Sequence, residues 1–547
     1  MFVGDPQRIN LSTSLFENII GDGCLYVDKS RLIEHFFQES SDVQLIARQR
    51  RLGKSLNMDM LWCFLTDGQD YRSLFKGLYI EGSSVWEKAH SAPAFLFDFK
   101  NLTSVDYRKQ IRYMIDSYAF AYLNEPKCPA YLAKAFSEWE GQGGNPDGLK
   151  LLTELVYMVT GKKSYILMDE YDKLLMDNAG TEKYIEIRNY MTQFLSAGLK
   201  GNRYLNKALL TGVTRISYEG LLSGLNNMVI FDAFEDLLYV DDYGLTETEA
   251  RELAEAAGFD INEARRWYNG IKINGHAIYN TYGIMSLLRN KRFDCYWGNT
   301  GMMKLIADIM NTEQKRVLVN LLNPGVTQKV NIENRISPDQ LYKNSPDEMF
   351  FSLLVQAGYL SLEHWDMGKG VVAIPNAELT EVWRRFLLSD FFRKTGNISN
   401  VLVNMYAPEA FAADMEKFIT PIMEALSYYD LPKMICSDGK ARTPEIHYHL
   451  LLSGILYAYK QDLNYTAIRS NRESGDGRYD IMLEFNDKVI VFEIKSAAEN
   501  ENIENVANDA LDQIIRKRYG ADMEKPVFKI GCAFSGKKCK MVANRVL

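Results

Sequence analysis

Between Val43 and Phe234, short apolar runs alternate with longer patterns that have helical spacing. This alternation is typical of a parallel β-sheet whose strands are joined by crossover helices. The sequence therefore predicts an α/β fold for this part of the chain. The predicted strands are Val43–Ala47, Ala94–Phe99, Ser164–Met168 and Ala208–Val213.

The pattern changes twice after this region, which indicates more than one domain. A chain of 547 residues is also longer than one hydrophobic core usually supports. From about Leu245 to Phe392 the pattern is helical with weak strand signals, and Thr246 and Glu249 have the spacing of a capping box. Beyond Gly396 we predict a helix, two short strands, a second helix and a last strand. The predicted domains are residues 1–240 (α/β), 241–392 (helical accessory) and 393–547 (compact α/β).

Composition restricts the class of protein. Apolar residues make up 47% and charged residues 24%, as in an ordinary globular protein. The N-terminus lacks the pattern of a signal peptide and no segment has the length of a membrane span, so we expect a cytoplasmic protein without a membrane partner. The seven cysteines are scattered without a CxxC pair, which favours reduced thiols over zinc ligands. A net charge of -8 provides no general attraction for nucleic acid.

A basic loop joins the first predicted strand to a helix that begins at Gly53-Lys54-Ser55. A helix start offers free backbone N–H groups and the positive end of the helix dipole, and both suit a phosphate group. In a GxxxxGK[ST] loop the lysine contacts the terminal phosphates and the hydroxyl binds Mg²⁺. Arg48 stands where this pattern has glycine, so the motif alone also fits a basic turn before a helix.

Two acids, Asp169 and Glu170, directly follow the apolar run that ends at Met168. Parallel strands end at one edge of their sheet, so we expect these acids close to the Gly-Lys-Ser helix start. Asp169 is predicted to bind Mg²⁺ together with Ser55. Glu170 is predicted to orient or activate the attacking water.

The next strand ends in further polar residues, Thr211, Thr214 and Arg215. Thr214 is predicted to sense the γ-phosphate of a nucleotide. Arg215 is predicted to stabilise charge in the transition state, in its own chain or across a subunit interface. A surface or interface salt bridge is an equal alternative for Arg215.

Several segments resemble, in order, the predicted AAA-ATPase-like family of bacteria. They include ARQRRLGKS, ILMDEYDKLL, LLTGVTRISYEGLLSGLNN and YWGNTG, and the resemblance covers roughly the first 300 residues. The loop of that family also carries arginine at the position of Arg48. The resemblance implies a P-loop ATPase that uses ATP and Mg²⁺. The nucleotide-binding residues are then predicted to be Arg51, Gly53, Lys54, Ser55, Leu56, Asp169 and Thr214.

Near the C-terminus, two predicted strands flank a turn signal at Asn486-Asp487. If these two residues form the loop, Asp480 lies opposite Glu493, and Lys495 points to the same face. Opposed carboxylates repel each other unless a cation lies between them, which predicts Mg²⁺ or, alternatively, Mn²⁺. A longer turn would shift this register. An exposed hairpin with solvated charges is the other interpretation.

The segments GRYDI and VFEIK resemble the core of the PD-(D/E)XK nuclease superfamily, in particular the nuclease-like domain that accompanies this ATPase family. The resemblance implies a restriction-endonuclease-like α/β fold. An earlier helix supplies Glu445 as an acidic ligand, although this residue also suits a helix N-terminus, and a later helix supplies Gln513 and Tyr519. The predicted catalytic residues are Glu170, Arg215, Asp480, Glu493 and Lys495, and the predicted metal ligands are Ser55, Asp169, Glu445, Asp480 and Glu493.

The overall prediction is an α/β protein with a P-loop NTPase parallel sheet, a helical middle domain and a C-terminal restriction-endonuclease-like domain. Its leading function is ATP-controlled, metal-dependent cleavage of nucleic acid, with DNA expected in preference to RNA. One alternative is a nucleotide-controlled switch or DNA-binding module whose nuclease-like domain does not cut. Another is a defence or toxin-like effector. Homo-oligomerisation is left open by the sequence.

Overall fold

The structure is a computed structural model, and the chain divides into two compact units, residues 1–382 and 383–547. The predicted three-domain boundaries stay a prediction. Gly396 and parts of two quoted segments, residues 218–224, 226 and 297–300, lie outside the described residues. Within the described residues, no helix is both long enough and apolar enough to cross a bilayer. The described residues are 2–141, 145–217, 225, 227–296, 301–323, 325–342, 345–366, 368–395, 407–426, 445–498, 500–536 and 538–543.

The first unit begins with a short antiparallel pair of strands and two helices. The strands β1 and β2 pair through Phe2–Val27 and Val3–Tyr26. Asp59 accepts a hydrogen bond from the Phe16 amide over 2.6 Å, which attaches the first helix to the core. The elements are β1 (Phe2–Val3), α1 (Phe16–Gly21), β2 (Tyr26–Val27) and α2 (Arg31–Gln38).

A five-stranded parallel sheet forms the centre of this unit, as the apolar runs predict. Its strand order is β4-β5-β6-β3-β7, so β6 lies between β5 and β3. Every residue of β3 and β5 is buried, which is typical of parallel strands covered on both faces. The strands are β3 (Val43–Ala47), β4 (Ala94–Asp98), β5 (Ser164–Asp169), β6 (Leu205–Gly212) and β7 (Met228–Phe231).

Helices connect these strands and bury the sheet. One face packs against five of them in a cluster that includes Ile166, Leu152 and Phe194, while α3 contacts β4 and β5. Short 3₁₀ helices lie between α3 and β4. The helices are α3 (Lys54–Leu65), α4 (Tyr107–Leu123), α5 (Ala130–Gly141), α6 (Gly148–Thr160), α7 (Lys173–Asp177) and α8 (Tyr184–Leu199).

The middle of the chain is mostly helical, as predicted, but it also contains a three-stranded antiparallel sheet of order β10-β12-β11 and a hairpin of β8 and β9. The capping box of Thr246 and Glu249 is confirmed at the start of α9. The elements are α9 (Glu247–Ala256), α10 (Ile261–Tyr268), β8 (Ile271–Ile273), β9 (His276–Ile278), α11 (Thr281–Asn290), α12 (Gly301–Ile309), α13 (Thr312–Leu321), β10 (Gln328–Asn331), α14 (Asp347–Gln356), β11 (Ser361–Asp366), β12 (Lys369–Ala373) and α15 (Ala377–Thr395).

The second unit is built on a five-stranded mixed sheet of order β13-β14-β15-β16-β17, in which β15 and β16 are parallel. The sequence predicts the three central strands but not the two outer ones. Gly531 lets a helix approach β16 closely, because a Cβ there would lie 2.2 Å from the Ala507 carbonyl oxygen. The elements are α16 (Pro408–Leu426), α17 (Glu445–Ala458), α18 (Lys460–Leu463), β13 (Ala467–Ser474), β14 (Gly477–Glu484), β15 (Val489–Ser496), α19 (Ile503–Arg516), β16 (Val527–Ser535) and β17 (Lys538–Ala543).

Candidate functional sites

The loop between β3 and α3 closes around the amine of Lys54. Gly53, directly before the helix, has a φ of +88°, a conformation that favours glycine. Lys54 Nζ donates hydrogen bonds to the carbonyl oxygens of Arg48 over 3.1 Å and Gln49 over 3.0 Å. Burial lowers the pKa of Lys54, and the negative charge of Glu170 opposes this shift. The loop thus holds a buried cation next to the N–H groups of a helix start, an arrangement suited to phosphate.

Ser55, Asp169 and Thr211 form a hydrogen-bonded group at the edge of the parallel sheet. Ser55 Oγ donates to Asp169 Oδ2 over 2.6 Å, and Thr211 Oγ1 donates to Asp169 Oδ1, also over 2.6 Å. Mg²⁺ prefers oxygen ligands such as hydroxyl and carboxylate groups. The residues present therefore fit a magnesium ion held by Ser55 and Asp169, while Thr211 orients the carboxylate.

Glu170 leaves the end of β5 in a left-handed conformation with a φ of +56°, which is uncommon for a residue with a side chain. Its backbone N–H donates to Asp169 Oδ1 over 3.0 Å. Burial raises the pKa of its carboxyl, and the positive charge of Lys54 opposes this rise. A carboxylate with a raised pKa is better suited to accept a proton near neutral pH than an ordinary glutamate.

A cleft of about 480 Å³ opens beside this group. Arg50 and Glu170 line the cleft, together with Tyr282 and Met285 from α11. The N-terminal segment from Ile9 to Ser14 also contributes to the lining. Of the residues predicted from the sequence, the cleft brings together Arg51, Gly53, Lys54, Ser55, Leu56 and Glu170.

Arg48, which replaces the first glycine of the loop motif, is held by contacts within the protein. Arg48 is fully buried, and its Nη1 donates to the carbonyl oxygens of Ala47 over 3.0 Å and Phe231 over 3.1 Å. Its Nη2 donates to the carboxylate of Asp236. Arg48 therefore ties the loop to the end of β7 and does not line the cleft.

Arg51 is held by the middle of the chain. Its guanidinium lies 4.4 Å from the ring centre of Tyr282 and donates to the carbonyl oxygen of Tyr296. The backbone N–H of Tyr282 also donates to the Arg51 carbonyl oxygen over 3.4 Å. Arg51 lines the cleft, but its guanidinium contacts the Tyr282 ring and the Tyr296 carbonyl oxygen, and its binding of nucleotide stays a prediction.

The structure places Thr214 outside the cleft lining. Its hydroxyl donates to the buried carboxylate of Asp172 over 2.5 Å, and its backbone N–H donates to the same oxygen over 2.7 Å. Asp172 also accepts from the Val213 amide over 3.1 Å, so it orders the turn after β6. The sequence analysis missed Asp172 because nothing in its local pattern indicates this contact.

Arg215 also lies outside the cleft lining. Its Nη1 is 2.6 Å from the carboxylate of Asp232 and 3.4 Å from that of Glu235. This geometry is the salt-bridge alternative that the sequence left open for Arg215. The polar residue of β6 that contacts the acids is Thr211, which the sequence analysis named without giving it a role.

A second group of charged residues lies on the β14–β15 hairpin. The ladder pairs Ile481 with Phe492 and Glu484 with Val489, which is the register of a two-residue loop. Continued by one residue, this register sets Asp480 across from Glu493. Asp480 Oδ2 accepts a hydrogen bond from the Ile494 amide over 2.7 Å. The predicted hairpin register is therefore confirmed.

Glu493 is buried on this face and has an unsatisfied oxygen. The side-chain amide of Gln513, on α19, donates to its Oε1, whereas its Oε2 has no hydrogen-bond partner among the described residues. Burial and the neighbouring charge of Asp480 raise the pKa of Glu493 to about 8, and Lys495 opposes the rise. An unpartnered buried carboxylate oxygen beside a second carboxylate fits an oxygen-ligated divalent cation.

Glu445 begins α17 and is exposed. Its charge contributes to the raised pKa values of Asp480 and Glu493. His449, one turn later on the same helix, lies 3.0 Å from the Asp480 carbonyl oxygen and positions the helix on β14. Within the described residues, however, no three His, Cys, Asp or Glu side chains are grouped closely enough to hold a metal ion.

Comparison with known proteins gives a similar family for each of the two regions that contain these sites. Residues 10–222 match the model of the family described as predicted AAA-ATPase, and residues 444–544 match the PD-(D/E)XK nuclease superfamily. The chain thus contains one region similar to the predicted AAA-ATPase family and one similar to the PD-(D/E)XK nuclease superfamily. The Gly-Lys-Ser cleft lies within the ATPase-like region and the Asp480–Glu493 group within the nuclease-like region. Both resemblances predicted from the sequence are thereby confirmed.

The chain is also similar to a relative over most of its length. The chain is 24% identical over 533 residues to an uncharacterized protein in the vnfD 5′ region of Azotobacter chroococcum mcd 1, and the match covers 94% of each chain. The similarity therefore includes the middle region between the ATPase-like and nuclease-like matches.

Proposed function

We propose that the ATPase-like domain binds and hydrolyses ATP and that this controls metal-dependent cleavage of nucleic acid by the nuclease-like domain. The observation that supports the ATPase half is the convergence of Lys54, Ser55, Asp169 and Glu170 at one cleft and sheet edge. These are the parts that phosphoryl transfer to water needs: a phosphate-binding cation, oxygen ligands for a metal and a carboxylate base.

Within this proposal, the loop and the start of α3 bind the phosphates through the Lys54 amine and the N–H groups from Gly53 to Leu56. Ser55 and Asp169 hold Mg²⁺, which when bound supplies positive charge to the β- and γ-phosphate oxygens. Glu170 orients the attacking water and accepts its proton. Thr214 and Arg215 stay predictions, since each would have to leave its partner, Asp172 or Asp232, to reach a nucleotide.

In the nuclease-like domain, we propose that Asp480 and Glu493 hold Mg²⁺ or Mn²⁺. Glu445 stays a prediction as a further ligand, since no three such side chains of the described residues are grouped closely enough to hold a metal ion. The metal when bound supplies charge stabilisation for a phosphodiester under attack. Lys495, on the same face as Glu493, orients the attacking water or stabilises charge on the phosphate. The unpartnered Oε2 of Glu493 and its pKa of about 8 support this proposal, because a cation would relieve both.

Coupling between the two activities is supported by a chain of contacts that starts in the phosphate loop. Arg51 donates to the Tyr296 carbonyl oxygen, and the Tyr296 amide donates to Glu378 Oε1 over 2.6 Å. Glu378 lies in the first turn of α15, and the boundary between the two units falls inside that helix, after Val382. A nucleotide that moves Arg51 would therefore act on Tyr296 and on the first turn of α15, within the first unit.

Lys54→Ala tests the ATPase half of the proposal. The variant should lose ATP binding and phosphate release, because the buried amine is the main cation of the loop, whereas Lys127→Ala, at an exposed position, should keep both. Binding is measured by calorimetry with ATP and Mg²⁺, and turnover by release of inorganic phosphate. Turnover by Lys54→Ala equal to that of the unaltered protein would contradict the proposed ATPase.

Lys495→Ala and Asp480→Asn test the nuclease half. Both should abolish Mg²⁺- or Mn²⁺-dependent cleavage of DNA, while Lys538→Ala, at an exposed position of the same sheet, should retain it. RNA assayed in parallel identifies the substrate. Equal cutting by all variants would assign the activity to another site or a contaminant. Salt-sensitive DNA binding without cutting would favour the nucleotide-controlled binding module instead.

A further inference from the structure

Arg50 is a cation of the ATP cleft to which the sequence analysis gave no role. It lines the cleft together with Lys54 and Glu170. Its Nε is buried and has no hydrogen-bond partner in the described part of the chain. A buried guanidinium nitrogen without an acceptor is unfavourable, which suggests that its acceptor is a ligand.

The charges around Arg50 favour an anion at the same place. Two basic side chains, Arg50 and Lys54, line the same cleft beside a single carboxylate, Glu170. Two cations that repel each other in a partly desolvated cleft are stabilised when a polyphosphate binds between them.

The neighbouring arginines are held by other groups. Arg48 donates to Asp236 and two carbonyl oxygens, and Arg51 is engaged by Tyr282 and Tyr296. Arg215, which the sequence predicted as the transition-state cation, forms an ion pair with Asp232. Of these four arginines, Arg50 is the one without an ion pair or side-chain hydrogen bond in the described structure.

We propose that Arg50 contacts the γ-phosphate of ATP and stabilises its developing charge during hydrolysis, the role that the sequence assigned to Arg215. The inference rests on the proposed ATPase function. A water oxygen forms a bond to the γ-phosphorus while the bond to the β–γ bridging oxygen breaks and leaves its electron pair on ADP. The proton of the water passes to Glu170, and the products are ADP and phosphate. Arg50 donates hydrogen bonds to the oxygens on which charge develops.

The test compares Arg50→Ala, Arg50→Lys and, as a matched control, Arg203→Ala at an exposed position. Steady-state phosphate release gives kcat and KM. Calorimetry gives the affinities for ADP and for ADP with aluminium fluoride, a mimic of the transferring phosphoryl group. Thermal melting of each variant checks that it is folded.

Arg50→Ala should lower kcat about 100-fold or more, as the loss of a transition-state donor does, and leave ADP affinity close to that of the unaltered protein. The unaltered protein should bind ADP with aluminium fluoride more tightly than ADP alone, and Arg50→Ala should bind the two with equal affinity. Arg50→Lys should restore part of kcat, because it keeps the charge without the planar fork. Arg203→Ala should behave as the unaltered protein.

Two results would overturn the inference about Arg50 and leave the proposed ATPase standing. One is an unchanged kcat and fluoride preference in Arg50→Ala. The other is an equal loss of affinity for ADP and for ADP with aluminium fluoride with unchanged kcat. The second result would make Arg50 a ground-state ligand. An unaltered protein that neither binds nor hydrolyses ATP would overturn the proposed ATPase, and with it the role of Arg50.

Discussion

The hydroxyl of Ser55 donates a hydrogen bond to Asp169 Oδ2 over 2.6 Å. This bond connects the first turn of α3 with the end of β5. The two are not on neighbouring strands, because β6 lies between β5 and β3, the strand that leads into α3. A metal ion at this place would be coordinated by both oxygens, in place of the hydrogen bond that joins them.

Asp169→Asn should weaken the Mg²⁺ dependence of ATP binding, because an amide oxygen replaces a charged ligand. Binding measured without Mg²⁺ should change little, and the gain in affinity on addition of Mg²⁺ should be lost. Asp98→Asn is a stringent control, since Asp98 pairs with Asp169 across the sheet but has an exposed side chain. An Mg²⁺ response in Asp169→Asn equal to that of the unaltered protein would rule out this ligand.

Glu170→Gln should bind ATP but hydrolyse it about 100-fold or more slowly, because glutamine cannot accept the proton of the attacking water. Single-turnover phosphate release separates this step from binding. Glu182→Gln, at an exposed position, should release phosphate at the normal rate. Loss of ATP affinity in Glu170→Gln with an unchanged single-turnover rate would make Glu170 a binding residue rather than a base.

Tyr282→Ala should separate ATP hydrolysis from its effect on nucleic-acid cleavage. The ring contacts the Arg51 guanidinium at 4.4 Å, and without it Arg51 would no longer hold Tyr296 and the start of α15 in place. Cleavage should then become insensitive to ATP, whereas ATP turnover should persist. Tyr282→Phe keeps the ring and should retain the coupling. Normal ATP control in Tyr282→Ala would exclude this route.

Asp59→Asn should change how stability depends on pH. Burial raises the pKa of Asp59 above its ordinary value of 3.8, which its carboxyl resumes when unfolded. Between those two values the native state binds more protons than the unfolded state, so the free energy of unfolding falls as pH rises through this interval.

The melting temperature of the unaltered protein, relative to that of Asp59→Asn, should therefore fall as pH rises. This difference should become constant above the pKa of Asp59 in the folded protein. Asparagine can still accept the Phe16 hydrogen bond, so the comparison isolates the titration. Asp509→Asn, an exposed carboxylate in the second unit, corrects for net charge. A difference that does not vary with pH would show that Asp59 has an ordinary pKa.

Gly531→Ala should destabilise the second unit by about 1–3 kcal/mol or more, the usual effect of overpacking. The added Cβ would lie 2.2 Å from the Ala507 carbonyl oxygen and 2.4 Å from the Leu511 amide nitrogen, and backbone atoms cannot rotate away. Gly141→Ala is the matched control, since a Cβ there meets nothing within 4 Å. Urea unfolding of both variants measures the effect. Equal stabilities would show that α19 shifts at little cost.

The β14–β15 hairpin shows that a strand register can be predicted from the local sequence. A two-residue loop and the alternation of side chains on a strand set the register, so the approach of Asp480 to Glu493 follows from the order of residues. The outer strands β13 and β17 were not predicted. They pair on only one side and their sequences carry more charge, which weakens the apolar signal.

The structure was needed to distinguish among the polar residues near the cleft beside Lys54. Thr211 and Thr214 are both candidates in the sequence, and only the approach of Asp172 to the turn after β6 separates them. Likewise, the sequence does not show that Arg50 and Arg51 line the cleft whereas Arg48 and Arg215 do not. Their partners, such as Asp236, Tyr282 and Asp232, lie far along the chain.

The sequence by itself determined the features that depend on near neighbours: the strand before the Gly-Lys-Ser helix, the acids at the end of β5, the hairpin register and the resemblance to the two families. Only the tertiary structure decided how these side chains are placed: Thr211 contacts Asp169 and Arg50 lines the cleft, whereas Thr214 and Arg215 pair with Asp172 and Asp232. The physical reason is that strand periodicity and helix starts act over a few residues, whereas burial and ion pairing depend on groups that meet only after folding.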